Sequence, residues 1–453
     1  MISFAPSGGS RMTEQQIAEL GPAFASYLHG YRAAFVDDRT VEHLRTYCRG
    51  LLSDLPRKSV EPIALAAGTA VRTLQEFLRD HVWDAGRVRD ELQRRLTPAA
   101  TTGPDDGLGT IGLIDETSVV KKGTKTPGVQ RQYLGCVGKT ENGIVTVHLG
   151  VTRGRFKALL DAALYLPQSW DADRPRCEDA GIPADVSYRP KWQMALDQVR
   201  HARANGLRFD WLTFDEAYTD KPGFLAGLEA DGQVYVGEAP VGFPCEFGRA
   251  DEVTATHPAF TRQRWRTVRI PHQTEPDALW RVKAARVRPK RAGQVAEAVV
   301  WLIVAQRPST GEVKYFVSNA PADTPVTTLV RVAFRRWNIE HCFRVSKTEI
   351  GWTHYEGRNY LGLLRHMVLC LVVLGFVALH TERLRGEKPR GDAGASVPGA
   401  ERPLPRSARP ASRDRAARPH RRGPSIPPSP QSSRPRVQDE ASSTVETAAY
   451  IAL

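Results

Sequence analysis

The sequence predicts an α/β protein: a helical N-terminal unit, then strands mixed with helices, then helices again. Residues 12–100 hold few glycines and carry apolar residues at helical spacing. Past a turn-rich segment at Thr97–Gly109, short apolar runs divided by turn residues are typical of strands. Helical spacing returns from Thr327 to about Arg385.

The chain length and the net charge limit the domain count and the kinds of partner that the protein is expected to have. The 453 residues leave room for about two or three domains with a sizeable core. Of the net charge of +13, residues 383–453 carry +7 and residues 1–382 carry +6. A polyanionic partner is therefore expected, although the folded part is only moderately basic and its charge alone does not identify nucleic acid.

Cysteine usage and hydropathy indicate a cytoplasmic protein. The six cysteines form no C-x-x-C pair, which favours a reducing compartment and argues against a structural zinc site. Residues 1–10 lack the basic start and apolar run of a signal peptide. The most apolar run, Met367–Leu379, has 13 residues, whereas a bilayer span needs roughly 20. We therefore expect a buried helix there and no membrane partner.

The helical unit, residues 1–100, contains a candidate helix-turn-helix. Segments Ser59–Ala67 and Thr69–Leu78 both have helical spacing, and Gly68 lies between them. Two short helices around a glycine turn, the second exposing Arg72, are compatible with DNA binding. A plain helical hairpin packed on its neighbours explains the same pattern.

Residues 110–238 are predicted to form the first part of a core in which two aspartates follow apolar strands. The expected elements are strands at Thr110–Ile114, Gln132–Val137, Ile144–Val151, Arg208–Phe214 and Gln233–Val236, a turn at Glu141–Gly143, and helices from Pro190 and around Pro222–Leu228. Asp115 and Asp215 come where two of these strands are expected to stop. Side chains at strand ends leave the core and can meet a ligand.

The remaining chain divides into three parts. Residues 239–320 read as a β-rich block, with strands expected at Arg266–Ile270, Trp280–Val287, Val299–Ala305 and Val313–Val317. Residues 321–382 read as helices. Residues 383–453 hold 11 of the 32 prolines and almost no large apolar residues, which predicts a disordered tail.

One helical stretch concentrates charge. In an ideal helix, Arg336, Glu340 and Lys347 would fall within about 40° of one another, beside an apolar stripe that includes Ile339 and Phe343. A carboxylate between cations suits a site that holds a metal ion and a phosphate. Ordinary ion pairs on a solvated helix are the alternative.

Together, Asp115, Asp215 and Glu340 form the kind of oxygen-donor set that Mg²⁺ prefers. Two such ions about 4 Å apart can activate the attacking oxygen and stabilise the leaving oxygen in phosphodiester displacement. Glu116 or Glu216 remains an alternative partner at either strand end. Paired carboxylates also serve glycoside hydrolysis, which does not explain the basic residues beside Glu340.

The spacing Arg336-x₃-Glu340-x₆-Lys347 matches the Y-x₂-R-x₃-E-x₆-K signature of DDE transposases from bacterial insertion sequences, with Ala333 at the tyrosine position. Local matches at Ile114–Thr117 and Phe214–Tyr218 extend the similarity. Over about residues 40–385 the chain resembles the IS-four-like superfamily, and within it the IS-seven-hundred-one type.

The resemblance implies an RNase H-like catalytic core with a β-rich insertion at residues 239–320, preceded by a helical N-terminal DNA-binding domain. Asp115, Asp215 and Glu340 would be the catalytic and metal-binding triad, with Mg²⁺ as cofactor and Mn²⁺ able to substitute. Arg336 and Lys347 would contact DNA phosphate. The implied activity is strand cleavage at the element's ends, followed by strand transfer into target DNA.

Further expectations concern partners. Double-stranded DNA, as terminal inverted repeats and as target, would be bound by a homodimer associated with the nucleoid. Lys121 and Lys122 after Asp115, and Arg344 beside Glu340, are further DNA-binding candidates; a solvated basic turn explains the two lysines equally well. Trp337 is expected to be a packing anchor, with base stacking as the alternative. Two rival functions remain, a DNA-binding protein without catalysis and another RNase H-like metal nuclease.

Overall fold

A computed structural model describes residues 14–270 and 278–386, with side chains from residue 19 to residue 381. Nearly all of the predicted tail therefore lies outside the described residues. The helices of the first part are α1 (Glu14–His29), α2 (Asp38–Leu52), α3 (Val60–Ala66), α4 (Val71–Arg79) and α5 (Ala85–Thr101). Gly68, at φ 63°, joins α3 to α4 in the turn that the sequence predicts.

The first strands and helices of the core follow α5. They are β1 (Ile111–Val120), β2 (Gln130–Leu134), β3 (Lys139–Arg153), β4 (Phe156–Leu164), α6 (Gln168–Asp171), α7 (Arg174–Asp179), α8 (Lys191–Ala204), β5 (Trp211–Phe214), α9 (Glu216–Thr219), α10 (Pro222–Ala230) and β6 (Tyr235–Ala239). Two of the expectations for this part are wrong and one strand was not predicted, all for the same physical reason.

That reason is the long strand β3, whose pairing overrides local signals. Asp115 does not end a strand, because β1 continues to Val120 along β3. The expected turn at 141–143 lies inside β3, and the chain turns instead at residues 135–138. Strand β4, missed because Ala and Leu dominate it, forms by pairing with β3.

The β-rich block contains β7 (Pro244–Cys245), β8 (Gly248–Arg249), α11 (Ala250–Thr256), α12 (Pro258–Thr261), β9 (Arg266–Ile270), β10 (Ala278–Val287), β11 (Lys290–Arg291), β12 (Gln294–Val295), β13 (Val300–Gln306) and β14 (Val313–Ser318). The four strand predictions there are confirmed to within two residues at each end. The block joins the core sheet through the β6–β14 pair, giving the strand order β2-β3-β1-β5-β6-β14-β13-β10-β9, with β4 beside β3.

The last helices do not form one continuous rod. Helix α13 (Val326–Phe334) passes through a 3₁₀ turn at Arg335–Trp337 into α14 (Asn338–Val345), which ends in a π turn at Ser346–Ile350. Gly351, at φ 83°, then reverses the chain before α15 (Tyr360–Gly386). Both changes of helical pitch alter the phase of the side chains around the axis.

Helix α15 is the one segment, among the residues described, that is long and apolar enough to cross a membrane. Its span Tyr360–Thr381 has a mean hydropathy of 2.2, and 83% of the window is buried within the molecule. It packs on α2, α4, α5 and β4, so the predicted buried helix at Met367–Leu379 is confirmed. The N-terminal helices and the C-terminal helix therefore share one core.

Candidate active site

The side chain of Asp115 lies on the face of the sheet that α13 and α14 cover. Its Cα partner on β3 is His148, whose ring packs against Phe343 of α14 at a centroid distance of 4.9 Å. Because side chains alternate along a strand, Glu116 lies on the opposite face, towards α8. There Lys191 Nζ lies 2.6 Å from Glu116 Oε2.

Arg336, in the 3₁₀ turn, is the centre of the cluster. Its Nη1 donates to Asp115 Oδ2 at 2.6 Å, and its Nη2 lies 3.5 Å from Glu340 Oε1 on α14. Its Nε lies 4.0 Å from Glu238 Oε2, at the end of β6. The 3₁₀ turn carries the guanidinium from the end of α13 across the sheet to β1.

Asp215 reaches the cluster from the end of β5. It is the N-cap of α9, where its Oδ1 accepts from the Ala217 amide at 3.1 Å. Burial raises the pKa of this carboxyl, and interaction with Arg336 offsets only part of that rise. The structure thus brings Asp115, Asp215, Glu340 and Arg336 together, as the sequence predicts.

The site carries more negative than positive charge. Burial, together with the nearby Asp215 and Glu340, raises the pKa of Asp115 to about 7 despite the opposing effect of Arg336. The same carboxylates raise the pKa of Arg336 against its own burial. Such a site is stabilised by further positive charge.

The carboxylate oxygens of this cluster are suitable ligands for a metal ion, but the structure does not arrange them around a metal position. Among residues 14–270 and 278–386, no group of three or more His, Cys, Asp or Glu side chains could hold a metal ion as it stands. Arg336 lies between Asp115 and Glu340, so the position among the carboxylates is taken by a guanidinium. Carboxylate oxygens are nevertheless the donors that hard divalent cations select.

Glu238 is a member of the cluster that the sequence analysis missed. Its Oε1 lies 2.5 Å from Lys314 Nζ of the neighbouring strand β14. The signal was an acidic residue just past the apolar run Tyr235–Val236, like Asp215 after β5. Its importance depends on β6 lying beside β5, which only the sheet order reveals.

Lys347 lies in the π turn that follows α14. Burial, and then the charge of Lys347, lowers the pKa of His148, the β3 partner of Asp115, and Lys347 also interacts with Cys136. The 3₁₀ and π turns on either side of α14 change the helical phase, so the charged row with Arg336 and Glu340 stays a prediction. Arg344 is exposed, and its Nη2 lies 3.2 Å from His341 Nδ1.

The other basic candidates occupy different surroundings. Lys121 Nζ donates to the Tyr355 carbonyl at 2.6 Å, so it fastens the segment before α15, whereas Lys122 is exposed. Arg72 on α4 is exposed and pairs with Glu76 at 2.6 Å. Trp337 is 41% exposed, which contradicts the expected packing anchor.

Comparison with known proteins gives two findings. The family model described as DDE superfamily endonuclease matches residues 32–301, more than half of the chain, and this range includes Asp115 and Asp215 but not Glu340. The chain is also 27% identical over 349 residues to a probable transposase for insertion sequence element IS701 from Microchaete diplosiphon. That alignment covers 74% of this chain and 81% of the relative.

Proposed function

Because the chain belongs to the DDE superfamily of endonucleases, we propose that it is an insertion-sequence transposase that cuts DNA at the element's ends and transfers the freed strand to target DNA. The observation that carries the proposal is the clustering of Asp115, Asp215 and Glu340 around Arg336 on one face of the sheet. That cluster has the donor types and surplus negative charge that phosphodiester chemistry on metal ions requires.

The carboxylates and the arginine of the cluster have different proposed roles. Asp115, Asp215 and Glu340 would hold divalent cations, Mg²⁺ or in its place Mn²⁺, which supply activation of the attacking oxygen and charge stabilisation of the leaving oxygen. Arg336, already held beside all three carboxylates, would bind a non-bridging oxygen of the scissile phosphate. Because cleavage and strand transfer are both in-line displacements at phosphorus, one set of residues serves both.

The proposed function also implies the binding partners of the protein. Substrates are double-stranded DNA with the element's terminal inverted repeats, and a target duplex. The helix pair α3–α4 would contribute to binding the repeats, with exposed Arg72 as a phosphate contact. A homodimer would hold the two ends in the cytoplasm, where the nucleoid provides the target.

The test is cleavage of a labelled duplex carrying the element's terminal repeat, with Mg²⁺ and with EDTA. We expect nicking at the repeat boundary that requires the metal and is lost in Glu340→Gln. Glu216→Gln is the matched control, because Glu216 follows Asp215 but is exposed at the start of α9. Equal loss in both variants would remove Glu340 from the assignment.

Ala333 favours one alternative, a transposase that binds its ends but no longer cuts them. It stands at the signature's tyrosine position, where it is buried and its carbonyl accepts from Thr213 Oγ1 at 3.4 Å. Binding of the repeat without nicking in Mg²⁺ or Mn²⁺ would establish that alternative. Metal-dependent cutting with no preference for the repeat and no joining would indicate a nuclease instead.

A further inference from the structure

Glu238 and Lys314 form an ion pair beside the carboxylate cluster. Glu238 is on β6 and Lys314 is on β14, and the two strands pair antiparallel with Glu238 opposite Phe316. Because Lys314 precedes Phe316 by two residues, the two charged side chains are diagonal neighbours on one face of the sheet. Phe316 packs on Phe334 of α13 with ring centroids 5.6 Å apart. The pair therefore lies on the face that α13 covers, the same face as Asp115.

The Glu238 carboxylate faces two cations through different oxygens. Its Oε1 lies 2.5 Å from Lys314 Nζ, and its Oε2 lies 4.0 Å from Arg336 Nε. The three side chains are between 17% and 27% exposed, so water and salt screen these charges less than at the open surface. Burial lowers the pKa of Arg336, and among the charges that raise it Asp115 has the largest effect and Glu238 the next. Lys314 thus fixes one oxygen of Glu238, and the other is directed to Arg336.

The partners of Arg336 are divided between the two sides of its guanidinium. Nη1 lies 2.6 Å from Asp115 and Nη2 lies 3.5 Å from Glu340, whereas Nε is the atom nearest Glu238. A guanidinium carries its donors in a fixed planar fork, so one side can keep its partner while the other side exchanges partners. In the proposed function, Asp115 and Glu340 hold cations and Arg336 binds phosphate. Both roles require the Nη groups to leave those two carboxylates.

We propose that Glu238 is a positioning residue that holds Arg336 through Nε when the Nη groups leave the other carboxylates. A partly buried guanidinium that gives up two carboxylates loses their attraction, and a third carboxylate within reach offsets part of that loss. Asp115 and Glu340 therefore become available as cation ligands at a lower cost. The Nη groups become available for two parallel hydrogen bonds to phosphate oxygens. The inference rests on the proposed function and deepens it.

The ion pair with Lys314 distinguishes Glu238 from the carboxylates assigned to the metal ions. The ammonium group at 2.5 Å compensates the charge of Glu238 and engages its Oε1. A cation that bound Glu238 directly would have to compete with this lysine on the neighbouring strand. The positions of both side chains are fixed by the β6–β14 ladder, so the anchor does not depend on the helices that carry Arg336. Glu238 is thus placed to act on Arg336 rather than on a metal ion.

The experiment measures Mn²⁺ binding by the full chain without DNA, from the electron paramagnetic resonance signal of the free ion. Glu238→Gln should weaken binding about tenfold, the order of coupling expected between neighbouring charged residues. Arg336→Gln should tighten binding, because the cation that lies between Asp115 and Glu340 is removed. In the Arg336→Gln background, Glu238→Gln should change the affinity by less than about twofold, because its effect depends on the arginine.

The matched control is Glu312→Gln. It removes the same charge from a carboxylate that also faces Lys314, at 3.8 Å, but from a side chain that is 43% exposed. This control should leave Mn²⁺ binding unchanged. Glu238→Asp is a second variant, which keeps the charge but is one methylene shorter, so it should weaken binding in the same direction as Glu238→Gln. Unchanged melting temperatures in EDTA would establish that the variants fold, and the Asp variant carries the test if Glu238→Gln does not.

Equal weakening by Glu238→Gln with and without Arg336 would overturn the inference, because Glu238 would then act as a metal ligand or by its charge alone. Unchanged affinity in Glu238→Gln would overturn it as well. If the two residues are coupled in Mn²⁺ binding but the wild type never cuts the terminal-repeat duplex, only the proposed function is refuted. If the wild type cuts and the coupling is absent, only the role of Glu238 is refuted.

Discussion

Two arginines with little solvent exposure, Arg336 and Arg365, show how this fold uses the same side chain differently in two regions. Arg336 is surrounded by carboxylates, which raise its pKa against burial. Arg365, on α15 and 3% exposed, donates to the carbonyls of Phe77, Leu78 and Trp83, with its guanidinium 4.4 Å from the Trp83 ring centre. Burial lowers the pKa of Arg365 to about 10.

The surroundings of Arg336 are those of a reactive site, whereas the surroundings of Arg365 are a structural contact of α15 with α4 and the loop before α5. Around Arg336 the opposing charges exceed the single cation, so the carboxylates can still gain from another positive group. Around Arg365 the partners are neutral dipoles that are fixed at the end of α4 and in the loop before α5. Removing Arg336's neighbours should therefore change chemistry, and removing Arg365 should change stability.

The largest expected effect is on chemistry. Asp115→Asn should lower the rate of strand cleavage at least about a thousandfold, because roughly 4 kcal/mol of transition-state stabilisation depends on the metal-binding carboxylates. Single-turnover cleavage of the repeat duplex measures it. Binding in EDTA should stay within a few-fold of the wild type, and cleavage at the normal rate would remove Asp115 from the site.

The next largest effect is on the stability that the Arg365 contacts provide. Arg365→Met should lower the free energy of unfolding by roughly 3 kcal/mol, because it takes the Arg365 donors from the carbonyls of Leu78 and Trp83 and leaves the Phe77 carbonyl with Trp83 Nε1 alone. Urea unfolding followed by far-UV circular dichroism gives the value. Arg365→Lys, which keeps the charge but not the fork of donors, should lose less. The cleavage rate per folded molecule should be unchanged. A thousandfold loss of that rate would contradict the structural role of Arg365.

A smaller effect concerns pH and His366, the neighbour of Arg365. Burial lowers the pKa of His366 to about 4, below its ordinary value of about 6.5. Below pH 6.5 the unfolded chain binds a proton that the folded chain rejects, so stability falls as the pH falls towards 4. Between pH 6.5 and 5 this one group should remove about 2 kcal/mol.

Unfolding of the wild type and of His366→Gln at several pH values isolates this contribution. The variant should lose less stability than the wild type between pH 6.5 and 5. Its absolute stability at pH 7 will be lower, because Tyr47 Oη lies 2.9 Å from His366 Nδ1 and loses that partner. Parallel pH profiles for the two chains would contradict the prediction.

The smallest effect is at the surface. Arg72→Gln should leave the melting temperature unchanged, because its pair with Glu76 is exposed to solvent. If α4 contacts DNA, the same change should lower the salt slope of repeat binding by about 0.9. An unchanged slope would indicate that α3 and α4 form a packed hairpin rather than a DNA-binding unit.

Local sequence patterns were enough to predict which side chains form the cluster and where most strands of the later sheet lie. The spacing of Arg336 and Glu340, and the aspartates beside apolar runs, selected four side chains that the structure brings together. Strands such as Arg266–Ile270 were predictable because their alternation of exposed and buried residues is a local property of the chain.

Other features depend on strand pairing and helix pitch, which local patterns do not contain. Asp115 lies inside a strand because β3 extends the ladder, and Glu238 joins the cluster because β6 lies beside β5. A 3₁₀ and a π turn change the helical phase between Arg336 and Lys347, which no ideal periodicity contains. The sequence predicts that α15 is buried, but not its partners, which lie hundreds of residues away, such as Tyr27, whose hydroxyl donates to the Val372 carbonyl. Local patterns report residue type and spacing, whereas these outcomes depend on which distant segments meet.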